Sequence, residues 1–339
     1  MMVIGTMMHA SSARWPRICY SLGCHGGAVG SVLLSASIAI AQGYPVKPVR
    51  IVVPFPPGAG GDFVTRLFTP RLMETLGQPL VVDNRSGAAG NIGAETVARA
   101  APDGYMLLTV SASHAIGQSL YKNLSYDLVR DFESVALLAS TPYVLGVHRS
   151  VPVRTTRELI ALAKARPGLL TFGSSGNGSG THLAGEMLKM HANIEMLHVP
   201  YKGTAPAISD LMGGQISMMF ASQLLPQIRA GRLRAIAITS AKRSQVAPEI
   251  PTVAESGVPG YEAGTWFGLI APTATPRDVV AKLNAAVTRA AQLQEIRDQL
   301  MTQSSAEPMS GTPEQAGVYI RGEAVKWRKV VAAAGLKVE

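Results

Sequence analysis

The residues best suited to chemistry in this sequence lie in glycine-rich loops, not in acid–base pairs. In "VRIVVPFPPGAGGDFVTRLF", Val49 to Phe68, a β-rich run breaks into a Pro/Gly loop from Pro54 to Gly61, and a helical pattern starts at Asp62. Strand, glycine loop and helix start together suit an anion, because the first helical N–H groups have no acceptor and the dipole favours negative charge. Two familiar versions fail on spacing. A P-loop needs Lys then Ser or Thr where Asp62 and Phe63 stand, and the dinucleotide fingerprint needs a third glycine at Phe63. Asp62 reads instead as the N-cap of the helix it opens. Taken alone, the loop is either an anion site or a plain βα turn.

Four more loops share this grammar. "DNRSGAAGNIGAE" runs from Asp83 to Glu95, and "SASH" from Ser111 to His114 offers Ser111, Ser113 and His114. "FGSSGNGSGTHLAGEML", from Phe172, offers Ser174, Ser175, Asn177, Ser179 and Thr181 beside a helix start. "PYKGTAPAISDL" presents Tyr201 and Lys202, with Thr204 expected to cap the next helix. Each follows a strand candidate, and ligands of open α/β sheets sit at the carboxyl ends of strands. Five such loops point to a polar pocket rich in hydroxyls and free N–H groups.

Machinery for bond-breaking is missing from the pattern. "GNGSG" puts its serine one position late for a nucleophile elbow, and no H-E-x-x-H occurs. His182, His191 and His198 do not share a helical face at i, i+4, and Asp210 and Glu186 stand alone. His182 and His191 read as helix-surface or satisfied polar residues. Lys202 is either a solvated turn charge or an activated amine.

Short strands alternate with helices along the chain. Strand candidates are Ile51–Val53, Leu80–Val82, Tyr105–Val110, Tyr143–Val147, Leu170–Phe172, Leu197–Val199, Ile216–Phe220, Arg234–Thr239 and Phe267–Ala271. Thr155 with Glu158 predicts a capping box. Thr275-Pro276 and Thr312-Pro313 each predict an N-cap before proline, the second opening a long helix through Trp327 that Gly335 closes. Such alternation predicts mostly parallel sheets flanked by helices.

Ahead of this lies a leader. Arg14 and Arg17 precede the apolar run "AVGSVLLSASIAIA", which ends in Ala39-Ile40-Ala41; its 14 residues fall short of a membrane span. Residues 1–41 therefore read as a signal peptide cleaved near Ala41, which places the mature chain in the periplasm. Cys19 and Cys24 lie in that segment, so the mature chain has no thiol chemistry, disulfide or cysteine-ligated zinc. Losing Arg14 and Arg17 lowers the formal net charge from +9 to +7, and no polybasic run occurs. An acidic ligand fits that better than nucleic acid. No metal or cofactor is expected.

"YPVKPVRIVVPFPPGAGGD", "LGQPLVVDNRSGAAGNIGAETVARAAPDGY", "GSSGNGSGTHLAGEML", "HVPYKGTAPAISDLMGGQISMMF" and "PTVAESGVPGYEAGTWFGLIAPTATP" occur in this order. Over about Tyr44 to Glu339 the chain resembles the Bug-type receptors, the periplasmic substrate-binding proteins of the tripartite tricarboxylate transporter system. The resemblance implies a two-lobed clamshell, with residues 42–143 and 266–339 in one lobe and 144–265 in the other. It implies a small carboxylate held by the first loop, at Pro56, Gly58, Ala59, Gly60 and Asp62, with Ser174–Thr181 and Tyr201–Thr204 added from the second lobe. Glycine suits that loop because a Cβ would block the approach of the backbone.

The resemblance also implies partners: large and small membrane subunits of a transporter, served by a monomeric receptor. A sensory receptor of the same fold is the second reading, and an enzyme the third. The chain departs from the family pattern at Ala221 and Ser222, where many relatives carry Asp-Asn. A carboxylate there could meet an ammonium group, so its absence argues against an amino-acid ligand. Protein recovered from the periplasm should begin at or near Gln42 by intact-mass measurement. Retention of the apolar run in mature, membrane-bound protein would refute the signal-peptide reading.

Overall fold

The computed structural model describes residues 43–336, so the leader, its cleavage site and both cysteines lie outside the described residues. The first part of the chain forms β1 (Val49–Val53), α1 (Gly60–Leu76), β2 (Leu80–Asn84), α2 (Asn91–Ala98), β3 (Met106–Ser111), α3 (Ala112–Leu120) and β4 (Phe132–Pro142). The chain then builds β5 (Val144–His148), α4 (Thr156–Ala165), β6 (Thr171–Ser174), α5 (Gly180–Ala192), β7 (Leu197–Pro200), α6 (Thr204–Met212), β8 (Met218–Ala221), α7 (Leu225–Arg229) and β9 (Leu233–Ile238). It ends with β10 (Gly264–Pro272), α8 (Arg277–Ala291), α9 (Gln294–Ser304), β11 (Glu307–Pro308) and α10 (Pro313–Ala333).

Two sheets result, in the orders β11-β4-β10-β3-β1-β2 and β7-β6-β8-β5-β9. Both are mixed, which corrects the expectation of mostly parallel pairing. β1 lies between β2 and β3 in parallel, and β6 pairs β7 and β8 in parallel. β10 and β5 instead run antiparallel to each of their long neighbours. The reason is topological: these are the strands by which the chain enters a sheet from the other one. Their direction is set by the crossing, not by a right-handed helical crossover. Val49, Ile51, Val52 and Val53 are essentially inaccessible, as β-branched side chains of a strand covered on both faces should be.

Several helix starts differ from the sequence reading. The Thr312 cap forms a full box with Gln315 (3.3 and 3.0 Å), and α10 is followed by Gly335 at φ +64°. Thr155 accepts the Glu158 N–H, but the Glu158 carboxylate turns to the Arg154 N–H, one residue earlier than a capping box requires. Thr204 is the first residue of α6, and Gly203 at φ +116° holds the cap position. The Thr275 hydroxyl folds back on the Pro272 carbonyl, leaving Pro276 at the cap of α8.

The chain passes from the first sheet to the second between Pro142 and Val144, and returns through the segment between Ile238 and Gly264. The two passages lie side by side: Gly264 pairs with Pro142 in one sheet and Val144 with Ile238 in the other. Gly264 is required at its place, since a Cβ would come within 2.9 Å of the Thr141 carbonyl oxygen. At the crossing the Thr239 hydroxyl accepts the Tyr143 N–H (2.7 Å) and donates to the Ala263 carbonyl (2.6 Å). Behind it, the indole N–H groups of Trp266 and Trp327 both donate to the buried Glu323 carboxylate (2.8 and 2.9 Å), which Lys326 also pairs.

Thr239→Val keeps the shape of the crossing but leaves the Tyr143 N–H without its partner. An unpaired buried donor costs about 1–3 kcal/mol. Urea unfolding of the variant should show a loss of that size at unchanged m-value, and an unchanged midpoint would mean that the crossing does not depend on this hydroxyl.

Candidate functional site

The loop after β1 folds around its own aspartate. The side chain of Asp62 is 3% exposed, and its carboxylate accepts the Gly58 N–H (2.8 Å), the Arg66 Nε–H (2.8 Å) and the Asn84 amide (2.8 Å). Asp62 is therefore not the N-cap: α1 starts at Gly60 with Ala59 capping in extended backbone, and Asp62 sits in the first turn. Its side chain is turned into the loop and away from solvent. Its charge fixes the loop from beneath, and burial, which alone would raise its pKa, is outweighed by these partners, which lower it. Gly58 supplies the left-handed turn (φ +81°), whereas Gly60 is close to the Phe267 ring, which an added Cβ would approach to 3.3 Å. Pro56, Gly58 and Gly60 remain exposed. The N–H groups of Gly60 and Gly61 open the helix and have no intrahelical acceptor.

A second helix start lies beside it. Ser111 caps α3 by accepting the Ser113 N–H (3.2 Å), while His114 Nδ1 accepts the Ser111 N–H (3.1 Å). His114 is wholly buried, edge-on to Phe55, so it supports the loop and does not touch the cleft. Burial pushes its pKa down to about 4, which keeps the ring neutral. With Nδ1 accepting, the proton sits on Nε2, pointed at the Gly87–Gly90 turn, where a Cβ on Gly90 would come within 2.9 Å of it. Ser113 is half-buried and lines the cleft.

The second lobe contributes the loop from Ser175 to Gly180. Ser179 caps α5 by accepting the His182 N–H (3.3 Å) and donates to the Gly176 carbonyl (2.7 Å). Thr181 Oγ1 accepts the Ser175 N–H (2.9 Å), and His182 Nδ1 accepts that of Gly178 (3.0 Å). The His182 and His198 rings stack face to face at 3.6 Å, so His182 is a buried support and not a surface residue. Glu186 is paired by Lys189 at 3.0 Å and not by a second carboxylate. Asp210 is likewise engaged, by the Tyr201 hydroxyl at 2.8 Å.

Ser174 Oγ lies 2.7 Å from His198 Nε2, a nucleophile–base distance. The serine is fully buried, however, and its hydroxyl also bonds the Gly176 carbonyl (3.1 Å). Burial first, and then His182, lower the His198 pKa to about 4, a weak base at neutral pH. This pair braces the loop and cannot reach a substrate.

The start of α3 and the Ser175–Gly180 loop meet at a cleft of about 270 Å³ between the lobes. Of the residues singled out in the sequence, Ser113, Ser175, Asn177 and Ser179 line it; Ser111, His114, Ser174 and Thr181 stand behind it. Pro56–Asp62, Tyr201, exposed Lys202, buried Ala221 and half-buried Ser222 lie outside its lining. Ala221 ends β8, and the Ser222 hydroxyl turns to Gln223 (3.3 Å). The sequence reading missed Ala89, Ile116, Leu120, Tyr121, Tyr143 and Thr265 as lining residues. The four-residue spacing of Ala112, Ile116 and Leu120, which begins within "SASH", was the available signal.

The family model described as the tripartite tricarboxylate transporter family receptor matches residues 64–336. Protein BugT of Bordetella pertussis is 36% identical over 318 residues, which cover 92% of this chain and 97% of that protein. A solved R. palustris protein with adipate is 37% identical, covers 87% of this chain and 100% of its own, and superposes with a TM-score of 0.71. MatC from Rhodopseudomonas palustris with bound malate is 34% identical over 85% of this chain and 100% of its own, with a TM-score of 0.67. On the length of these matches, the chain belongs to the tripartite tricarboxylate transporter receptor family.

Proposed function

We propose that this protein is a periplasmic receptor that captures a small carboxylate between its two lobes and delivers it, unchanged, to a membrane transporter. The observation that carries the reading is the cleft itself, lined from both lobes by hydroxyls and helix starts, in a chain of a solute-receptor family. Relatives solved with adipate and with malate support the carboxylate class. In this reading the lobes are residues 42–143 with 266–339, and residues 144–265. The leader is removed on export after Ala41, the receptor works as a monomer, and its partners are the large and small membrane subunits of the transporter. The family relation favours a transporter over a sensor as the receiving partner.

The energetics are adequate without a cationic clamp. A hydrogen bond to a charged group contributes about 1.5–3 kcal/mol, and micromolar affinity requires about 8 kcal/mol. Four or five such bonds supply the gross energy, part of which is offset by ordering and lobe closure. The carboxylate therefore depends on backbone donors being held in place beforehand: in this reading those at the starts of α3 and α5, which line the cleft, and those of the exposed first loop, which Asp62 holds from beneath and which comes to the ligand as the lobes close.

Two measurements test this. A thermal-shift and calorimetric screen over mono-, di- and tricarboxylates should find a stabilising ligand, and saturation with it should lower the radius of gyration in small-angle scattering. No stabilisation by any carboxylate, or binding without compaction, would count against the receptor reading. The second concerns Asp62. Its folded pKa lies below the usual 3.8, so the unfolded chain takes up the proton first. Its contribution to stability is complete above pH 3.8 and fades as the pH falls below it. Asp62→Asn should remove that share of acid sensitivity in urea titrations and weaken carboxylate binding about five- to tenfold at pH 7, one hydrogen bond's worth. Wild-type affinity in the variant would show that the first loop does not need its anchor.

A further inference from the structure

We infer that the Tyr143 hydroxyl, at the crossing between the lobes, joins the start of α5 to form the subsite that takes a carboxylate of the ligand; the inference rests on the receptor reading above. Tyr143 stands between β4 and β5, and Thr239 holds its backbone at both ends. The Tyr143 N–H goes to the Thr239 hydroxyl (2.7 Å), and the Tyr143 carbonyl takes the Thr239 N–H (2.9 Å). Only 8% of the residue is exposed, and its ring belongs to the core. The hydroxyl is the exception. It makes no hydrogen bond to any described residue, yet it is not sealed off, and Tyr143 lines the cleft. A tyrosine buried to this extent normally gives its O–H a partner. One left free at a cleft wall points to a partner that enters the cleft.

The hydroxyl lies against the first turn of α5. A Cβ on Gly180 would come within 2.4 Å of the Tyr143 oxygen, so glycine is what allows the approach. Gly180, which also lines the cleft, and Thr181 open α5, and their N–H groups have no intrahelical acceptor. The helix runs for 13 residues, and its positive end favours an anion. Burial, and then Glu323, raise the Tyr143 pKa above its usual 10.0, so the phenol keeps its proton and can donate it. A carboxylate seated here meets backbone N–H groups and a neutral O–H donor, all fixed before it arrives. Such charge-assisted bonds are the strong ones, and little ordering opposes them.

The test is Tyr143→Phe in the mature protein, with acetate, malate, adipate and citrate as probes in calorimetry. The variant keeps the ring and removes the oxygen. Its melting point without ligand should match wild type, because the hydroxyl has no partner in the protein. The probe that binds wild type most tightly should lose at least tenfold in affinity, the value of one hydrogen bond to a charged group. Gly180→Ala should lower the ligand-free melting point of wild type but not that of Tyr143→Phe, where the oxygen met by the new Cβ is gone. Unchanged affinity in Tyr143→Phe would show a hydroxyl that is merely hydrated and would overturn the inference. So would a lower ligand-free melting point of that variant, which would assign the oxygen to the fold. An equal loss from Gly180→Ala in both backgrounds would overturn the placement against α5. Each of these outcomes leaves the receptor reading intact, whereas wild type binding none of the four probes would overturn both.

Discussion

The lobes are joined by two strand passages that lie against each other, and the polar backbone at that crossing has to be paired away from water. Thr239 does most of this. Its hydroxyl takes the Tyr143 N–H and gives to Ala263, while its own N–H goes to the Tyr143 carbonyl (2.9 Å) and its carbonyl takes the Ala263 N–H (3.0 Å). Both passages are thereby locked in register at one residue. The mixed sheets follow from it, because β10 and β5 must each enter a sheet beside a strand running the other way. So does the placing of the cleft, whose lining includes Tyr143 and Thr265 on either side of the crossing.

The binding loops share a second economy. Their side chains are turned inward to satisfy their own backbone: Asp62 under Gly58, Ser174 under Gly176, His182 under Gly178, His114 under Ser111. A loop arranged in this way loses little entropy when a ligand arrives, since its conformation is already fixed. The same arrangement leaves few groups able to do chemistry. The serine–histidine pair of the second-lobe loop, Ser174 with His198, is buried behind the loop it braces.

Much of this was legible in the sequence. Val49–Val53 and the glycine loop after it declare themselves through β-branching followed by Pro/Gly, and "SGNGSGTH" names the start of α5. What was hidden depended on tertiary contact. β4 runs for 11 residues, but its alanines, serines and Glu133 show no clean alternation, and it is a strand because β10 lies along it. Asp62, placed like an N-cap, becomes a buried anchor only once Arg66 and Asn84 close over it. Ala112, Ile116 and Leu120 have core-like spacing in α3 and are indeed buried, so nothing local marks them as residues that also edge the cleft.

His114 and His198, the imidazoles behind the two sides of the cleft, are both held near pKa 4 where a free ring has 6.5. Proton linkage then acts unevenly on this molecule. Between those values these two rings stay neutral in the folded chain. The unfolded chain, by contrast, binds protons at both positions. As the medium acidifies below 6.5, these two rings keep their charge state while the fold loses free energy relative to the unfolded chain. The limit that these two rings set in acid is thus a cooperative loss of structure, not a change of charge beside the cleft.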